Sequence, residues 1–400
     1  VTTPIKQHLI DPEICIRCHA CVEACPREAI TYNDENVVVD VSICDHEMAC
    51  LGPCPTGAID NWRVVQTPFT LDEQLEWVEL PEQQEISPAP DAGEGESEVE
   101  AMDPSIAALL AEAHSGTGGE AVAPASAAVP TVNLFGAKAP LVAVVQGNFR
   151  LTEKDSDNDV RHIILNLGTN SFPLLEGQTV GVIAPGQDST GRAHVPRLYS
   201  VSSPRDGERA NTNNLSLTVK REPGGLCSNY ICDLARGDEV ALTGPFGRTF
   251  LLPDDPAARL LMICTGTGSA PFRAFTMRRQ RVMADCDGTM SLFFGARTPQ
   301  SLPYFGPLGK VPQSFLDKHF AFSRDPGQPK TYVQDLLRAA DQQVAAMLRD
   351  ANSYIYLCGL KAMEAGVEAA FDEIARAHGL DWSAIRDRMR KAGRYHVETY

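Results

Sequence analysis

Two copies of one cysteine run occupy the first 55 residues and restrict that segment to wrapping a metal group. The first copy reads Cys15, Cys18, Cys21, Cys25 and then Pro26. The second reads Cys44, Glu47, Cys50, Cys54 and Pro55, in the same C-x2-C-x2-C-x3-C-P spacing. Soft thiolate donors select iron–sulfur clusters or zinc. A C-x2-C element alone permits zinc, but two runs in register, each closed by Cys-Pro, favour clusters. Disulfides fit poorly, because so many close cysteines in an enzyme-sized chain point to metal or catalysis.

The paired runs resemble those of bacterial two-cluster ferredoxins, which implies an α+β module over residues 1–63. In such modules the fourth cysteine of each run ligates the other cluster. Carried over, Cys15, Cys18, Cys21 and Cys54 hold the first cluster, a [4Fe-4S]. Cys44, Cys50 and Cys25 hold the second, with Glu47 at the remaining corner. That second cluster is either a [4Fe-4S] with a non-cysteine ligand or a [3Fe-4S], and Asp45 and His46 are the neighbouring candidates for the ligand.

The net charge of −17 is unevenly placed. Residues 1–63 carry four basic and ten acidic side chains, and residues 64–137 carry fourteen acidic ones with no Lys or Arg. The remaining 263 residues hold 31 basic and 28 acidic groups. So acidic a front argues against nucleic acid, which needs basic patches. No apolar stretch is long enough to span a bilayer, and the polar start lacks a signal-peptide core. Clusters of this kind require reduced thiols, so a cytoplasmic protein with no membrane partner is expected.

Residues 64–138 read as a disordered acidic linker rich in Ala, Pro and Gly, too poor in large apolar residues to offset its ordering entropy. Like charges should keep it extended. One island differs, residues 103–113. Asp103 suits a cap, Pro104 the first helical position, and Ile106, Leu109 and Leu110 share a face. A solvated helix is the expectation there, with docking on a domain as the alternative.

Beyond the linker the pattern is globular. Short β-like runs separated by Gly, Pro and Asp turns predict an antiparallel β-barrel over residues 139–256. Strands then alternate with helices, over Ala270–Met283, Val333–Arg349, Ala362–His378 and Trp382–Lys391. This predicts a doubly wound α/β domain over residues 257–400.

Several motifs converge on this second half. They are Arg197-Leu198-Tyr199-Ser200, Val219-Lys220-Arg221, Gly225-Leu226-Cys227-Ser228, Thr265-Gly266-Thr267-Gly268, Cys358-Gly359-Leu360-Lys361 and a chain end of Val397-Glu398-Thr399-Tyr400. The ordered set resembles plant-type ferredoxin–NADP reductases. The resemblance implies that Arg197 meets the FAD pyrophosphate, Leu198 and Tyr199 flank the isoalloxazine, and Ser200 hydrogen-bonds near its reducible nitrogen. Val219, Lys220 and the amides of Leu226, Cys227 and Ser228 complete the flavin site. Thr267 and Leu360 serve the nicotinamide nucleotide, while Ser323, Arg324, Lys330 and Tyr332 match the pocket for the 2′-phosphate, so NADPH is expected. Tyr400 covers the flavin until nicotinamide displaces it, Cys358 contacts the reacting carbon, and Glu398 and Ser200 steady the polar edge. Cys227, Cys232, Cys264 and Cys286 read as small buried hydrophobes. Two departures stand out. Cys264 replaces the glycine that usually opens the Gly-rich turn, and the loop between Lys220 and Gly225 is short and lacks the family's adenine-stacking tyrosine.

The halves compose into an NADPH-dependent flavin and iron–sulfur oxidoreductase whose ferredoxin is tethered, which raises its effective concentration at the flavin. The domain order resembles that of the reductase components of benzoyl-CoA epoxidases, which implies a separate di-iron oxygenase as acceptor and a place in aerobic aromatic catabolism. A reversible ferredoxin–NADP reductase and an electron-transfer subunit of a larger complex are the alternatives.

Overall fold

The computed structural model describes residues 5–59, 61–81, 104–113, 122–154, 156–188, 190–283 and 288–400. Asp103 and Cys286 lie outside them. The first module holds β1 (Ile5–Leu9), α1 (Ala20–Ala24), β2 (Ile30–Tyr32), β3 (Val37–Val39), β4 (Asn61–Val65) and α2 (Leu71–Leu75). β1 pairs antiparallel with β4, and β2 with β3. Two-stranded pairs this short are marginal alone. Their core joins Ile10, Ile30, Val37, Val39, Leu51 and Ile59 to Cys21 and Cys50, so these two thiols are themselves core residues.

The start of the expected linker folds onto this module. A capping box opens α2, where Thr70 Oγ1 accepts the Glu73 N–H at 3.2 Å and the Glu73 carboxylate accepts the Thr70 N–H at 2.6 Å. Buried Gln74 then satisfies the free edge of β3, donating to Val39 O at 3.1 Å and accepting from Val39 N at 3.3 Å. An exposed strand edge needs such cover, a need that acidic composition does not reveal.

Within the linker, α3 (Pro104–Ala113) forms as the pattern predicts, but not as a solvated helix. Ile106 is 2% exposed. Residues 122–139 run along the second half of the molecule. Ser126 O accepts from Asp254 N, Thr131 O accepts from Gln178 Nε2, and Phe135 pairs with Gly244.

Six antiparallel strands follow: β5 (Leu141–Arg150), β6 (Val160–Asn166), β7 (Thr179–Ile183), β8 (Arg197–Ser200), β9 (Asn214–Lys220) and β10 (Glu239–Phe246), with α4 (Leu226–Asp233) before β10. Their order is β8-β7-β10-β5-β6-β9, and a bridge between Val201 and Leu217 brings the two edges together. β5 shows why: Leu141, Ala143 and Val145 are buried while Val142 and Val144 face out, the period-two pattern of a one-sided sheet.

The last module is a five-stranded parallel sheet of β11 (Arg259–Thr265), β12 (Met290–Ala296), β13 (Leu316–Phe322), β14 (Ser353–Gly359) and β15 (Tyr395–Thr399), ordered β13-β12-β11-β14-β15. Leu260 to Cys264 are all buried, as expected for a parallel strand covered on both faces. Around it lie α5 (Ser269–Val282), α6 (Phe305–Lys310), α7 (Val333–Ala339), α8 (Asp341–Arg349), α9 (Lys361–Ala377) and α10 (Trp382–Lys391). The helix expected over Val333–Arg349 is two, broken at Ala340, whose ψ of 28° leaves the helical region. Among the described residues no helix is long and apolar enough to cross a membrane.

A charged clamp fixes the six-stranded sheet against the parallel one. Arg273 of α5 donates to both carboxylate oxygens of Glu208, at 2.8 and 2.9 Å, and to Ser202 O at 2.8 Å. Glu208 also meets His162 Nε2 at 3.1 Å, and His162 Nδ1 lies 2.8 Å from the Tyr304 hydroxyl. Burial opposes ionisation of Glu208, yet the hydrogen bonds from His162 and Arg273 win and hold its carboxyl well below the usual range.

Candidate functional site

β8 delivers Arg197, Leu198, Tyr199 and Ser200 to one cavity of about 810 Å³. Val219 and Lys220 enter it from the end of β9, and Gly225 to Ser228 from the start of α4. Cofactor cavities span roughly 300–1,000 Å³, so this one suits a large ligand. α4 begins on Gly225 without a side-chain cap, which leaves its first-turn amides for an anion. A Cβ at Gly225 would stand 2.5 Å from Ser228 Oγ, so a side chain there would crowd the cradle. Arg197 is exposed in the cavity, and burial with nearby Cys227 keeps the Tyr199 phenol protonated. Leu109 and Leu110 of α3 line the same cavity.

A second cavity, of about 570 Å³, opens over the carboxyl ends of the parallel strands. β11 ends at Thr265, and Gly266–Gly268 make one tight 3-10 turn into α5. A Cβ at Gly268 would lie 2.1 Å from Cys358 O, and one at Gly359, where φ is +140°, 2.5 Å from Thr265 Oγ1. These glycines let β11 and β14 approach. Ser323, Arg324, Lys330, Tyr332 and Leu360 line the cavity, with Lys330 Nζ 5.1 Å above the Tyr332 ring. Arg297 joins them, its carbonyl accepting the Arg324 N–H at 2.7 Å. Sequence reading missed Arg297. Only the pairing of β12 with β13 brings the end of one strand beside Ser323.

Tyr400, Thr267, Lys220 and Glu222 line both cavities. Tyr400 is pinned by its backbone, donating to Gly359 O at 2.9 Å, and as a whole residue it is 55% exposed. Beneath it Cys358 is buried and pairs in register with Glu398 on β15. Burial pushes the Glu398 carboxyl up to about 8, and burial with Glu398 pushes the Cys358 thiol up as well. Next along β15, the Thr399 hydroxyl donates to Glu364 at 2.9 Å. Cys227, Cys232 and Cys264 are buried.

In the first module, Cys15, Cys18, Cys21 and Cys54 line one cavity. Cys25, Cys44, Glu47 and Cys50 line another, with His8, Asp45 and His46. The structure thus sorts the eight positions into the two sets expected from the crossed ligand rule. The two loops share one backbone course. Arg17 and His19 have φ of 54° and 58°, and the matching His46 and Met48 have 58° and 64°. Such values are uncommon for side-chain-bearing residues, so Glu47 occupies the same loop conformation as Cys18. Asp45 is engaged by Arg27 Nε at 2.5 Å, and His46 is buried beside Trp62 with ring centroids 4.9 Å apart. Asp45 is therefore held by Arg27, whereas both His46 ring nitrogens are buried without a hydrogen-bond partner, and Glu47 is exposed.

The second loop rests on the six-stranded sheet. Asn166 Nδ2 donates to Asp45 O at 2.9 Å and to His46 O at 3.1 Å, and Gln146 Nε2 donates to His46 O at 3.1 Å. Asn214 holds Gln146 from β9 at 2.8 Å, and Lys6 Nζ reaches Thr212 O.

Comparison with known proteins agrees with this geometry. Residues 8–31 match a 4Fe-4S binding domain, 148–250 an oxidoreductase FAD-binding domain and 262–369 an oxidoreductase NAD-binding domain. The cyanelle ferredoxin–NADP reductase of Cyanophora paradoxa is 38% identical over 289 residues, 67% of this chain and 79% of that protein. The chloroplastic enzyme of Spinacia oleracea is 36% identical, over 68% of this chain and 78% of its own. Among solved structures, ferredoxin-NADP+ reductase from Plasmodium falciparum superposes with a TM-score of 0.54 at 26% identity, covering 67% of this chain and 99% of that one.

Proposed function

Because this chain belongs to the ferredoxin–NADP reductase family and is an NADPH-dependent flavoprotein oxidoreductase with an N-terminal 4Fe-4S domain, we propose that it feeds electrons through two built-in clusters to a separate oxygenase. The domain order favours the di-iron enzyme that epoxidises benzoyl-CoA as that acceptor. The observation that carries the reading is the seat of the second-cluster loop on Asn166 and Gln146. Four residues of β9, roughly 13 Å of strand, separate Asn214 at that seat from Thr218 in the flavin cavity.

Each residue's role follows from its chemistry. Arg197 and the first-turn amides of α4 hold the pyrophosphate. Tyr199 supports one face of the flavin ring and Tyr400 covers the other, leaving when nicotinamide arrives. Arg324, Lys330 and Arg297, with the Ser323 hydroxyl and the Tyr332 ring, receive the 2′-phosphate as a dianion. Ser200, Cys358 and Glu398 surround the reacting edge; at neutral pH Glu398 is protonated and so donates rather than repels. Hydride transfer needs this alignment and exclusion of water. FAD held by these residues would supply the chemistry of accepting an electron pair and giving it up one electron at a time. Cys15, Cys18, Cys21 and Cys54 hold one cluster and Cys25, Cys44, Cys50 and Glu47 the other. Glu47 is the fourth ligand because it stands at the cysteine position of the run, lines the second cavity and shares the loop conformation of Cys18.

Anaerobic mixing with NADPH tests the route. Flavin bleaching should precede cluster reduction, followed by EPR, and replacing Asn166 and Gln146 by Ala should slow only the second phase. Equal rates in that double variant would disprove the seat as the crossing point. NADPH-driven turnover with a benzoyl-CoA-epoxidising di-iron partner tests the acceptor, and NADP reduction by an external reduced ferredoxin would favour the reverse direction instead.

A further inference from the structure

The flavin cavity has one wall that its own module does not supply. Leu109 and Leu110 line it from α3, although 31 residues separate Leu110 from the first strand of the sheet. The helix is not loosely placed there, since Ile106, on the same face, is buried at 2% exposure.

FAD presents two flat heterocycles, and the cavity is unevenly equipped for them. Tyr199 and Tyr400 are the two tyrosines of its lining, both placed at the flavin ring. The short loop Arg221-Glu222-Pro223-Gly224-Gly225 offers no aromatic side chain to the adenine. What remains is one half-buried imidazole, His194, and two exposed aliphatic groups: Leu226, 56% exposed at the start of α4, and Val195, 43% exposed before β8. Leu109 and Leu110 share the cavity with these aliphatic groups and add apolar surface on which a flat heterocycle can pack.

We propose that α3 is a component of the flavin site, its Leu109 and Leu110 packing on the adenine of FAD in place of an aromatic stack. The linker then has two tasks, tethering the iron–sulfur module and retaining the nucleotide. The inference rests on the assignment of this cavity to FAD, and its test separates the two.

The experiment is fluorescence titration of the deflavinated full chain with FAD and with FMN, which lacks the adenine. Replacing Leu109 and Leu110 by Ser should weaken FAD at least tenfold while changing FMN less than threefold. Leu109→Met with Leu110→Met should restore FAD affinity, which a merely misfolded linker would not. Arg197→Ala should weaken both ligands. If Arg197→Ala weakens FAD but the Ser pair leaves it unchanged, α3 is no part of the site and the inference falls. Equal loss of FAD and FMN in the Ser pair would place the leucines on the flavin ring and overturn the adenine assignment. If Arg197→Ala changes neither ligand, the cavity assignment itself fails.

Discussion

The phenol oxygen of Tyr400 lies 2.7 Å from the hydroxyl oxygen of Thr267, and this contact closes the wall between the flavin and nucleotide cavities. Tyr400→Phe removes the hydrogen bond and keeps the ring. A neutral hydrogen bond contributes about 0.5–1.5 kcal/mol net, so NADP+ should bind roughly two- to tenfold tighter when the wall opens more readily. Tyr400→Ala should tighten it further and slow product release. Calorimetric titration with NADP+ measures the first effect and single-turnover kinetics the second. Weaker NADP+ binding in Tyr400→Phe would mean that the hydroxyl serves the nucleotide directly.

Glu398 supplies a pH signature. Its folded value of about 8 lies above the ordinary carboxyl near 4.3. Its contribution to stability is therefore complete below about pH 4.3 and is lost as pH rises through 8. Urea unfolding at a series of pH values should show this slope in the wild type and not in Glu398→Gln. NADPH-to-flavin transfer should likewise fall with a midpoint near 8, and the variant should flatten that limb.

The pocket proposed for the 2′-phosphate should decide between nucleotides. Charge-assisted hydrogen bonds contribute about 1.5–3 kcal/mol each, so Arg324→Ala should cost NADPH roughly 10- to 100-fold in kcat/KM and leave NADH nearly unchanged. Arg297→Ala should act in the same direction. A uniform loss with both nucleotides would mean these cations only shape the loop.

Glu47→Cys completes the second run without disturbing a loop whose conformation already matches that of Cys18. Iron counting and EPR on the anaerobic protein should show one cluster signal changed and the other retained. An unchanged spectrum would remove Glu47 from the ligand set.

Much of this site is written in adjacent residues, and that part could be read before the structure. The two cysteine sets need only the crossed ligand rule, and β8 carries the four residues proposed for the flavin in one tetrapeptide. What escaped depends on contacts between distant segments. Arg297 acquires meaning only because β12 and β13 run side by side. Gln74 is a polar residue in an acidic stretch until it is seen covering the edge of β3. The helical pattern of α3 was legible, but a leucine face does not say what it covers. The break at Ala340 left no mark either, since alanine is the best helix former.

The clamp of Arg273, Glu208 and His162 makes the joint between the two sheets insensitive to salt. Its charges are largely buried, where mobile ions screen them little, so the geometry of hydride transfer is insulated from the surrounding electrolyte. The seat of the iron–sulfur module is insulated as well, because Asn166 and Gln146 hold it through neutral amide contacts to backbone carbonyls. Added salt is therefore felt at exposed cations such as Arg197 and not at the joints between the modules.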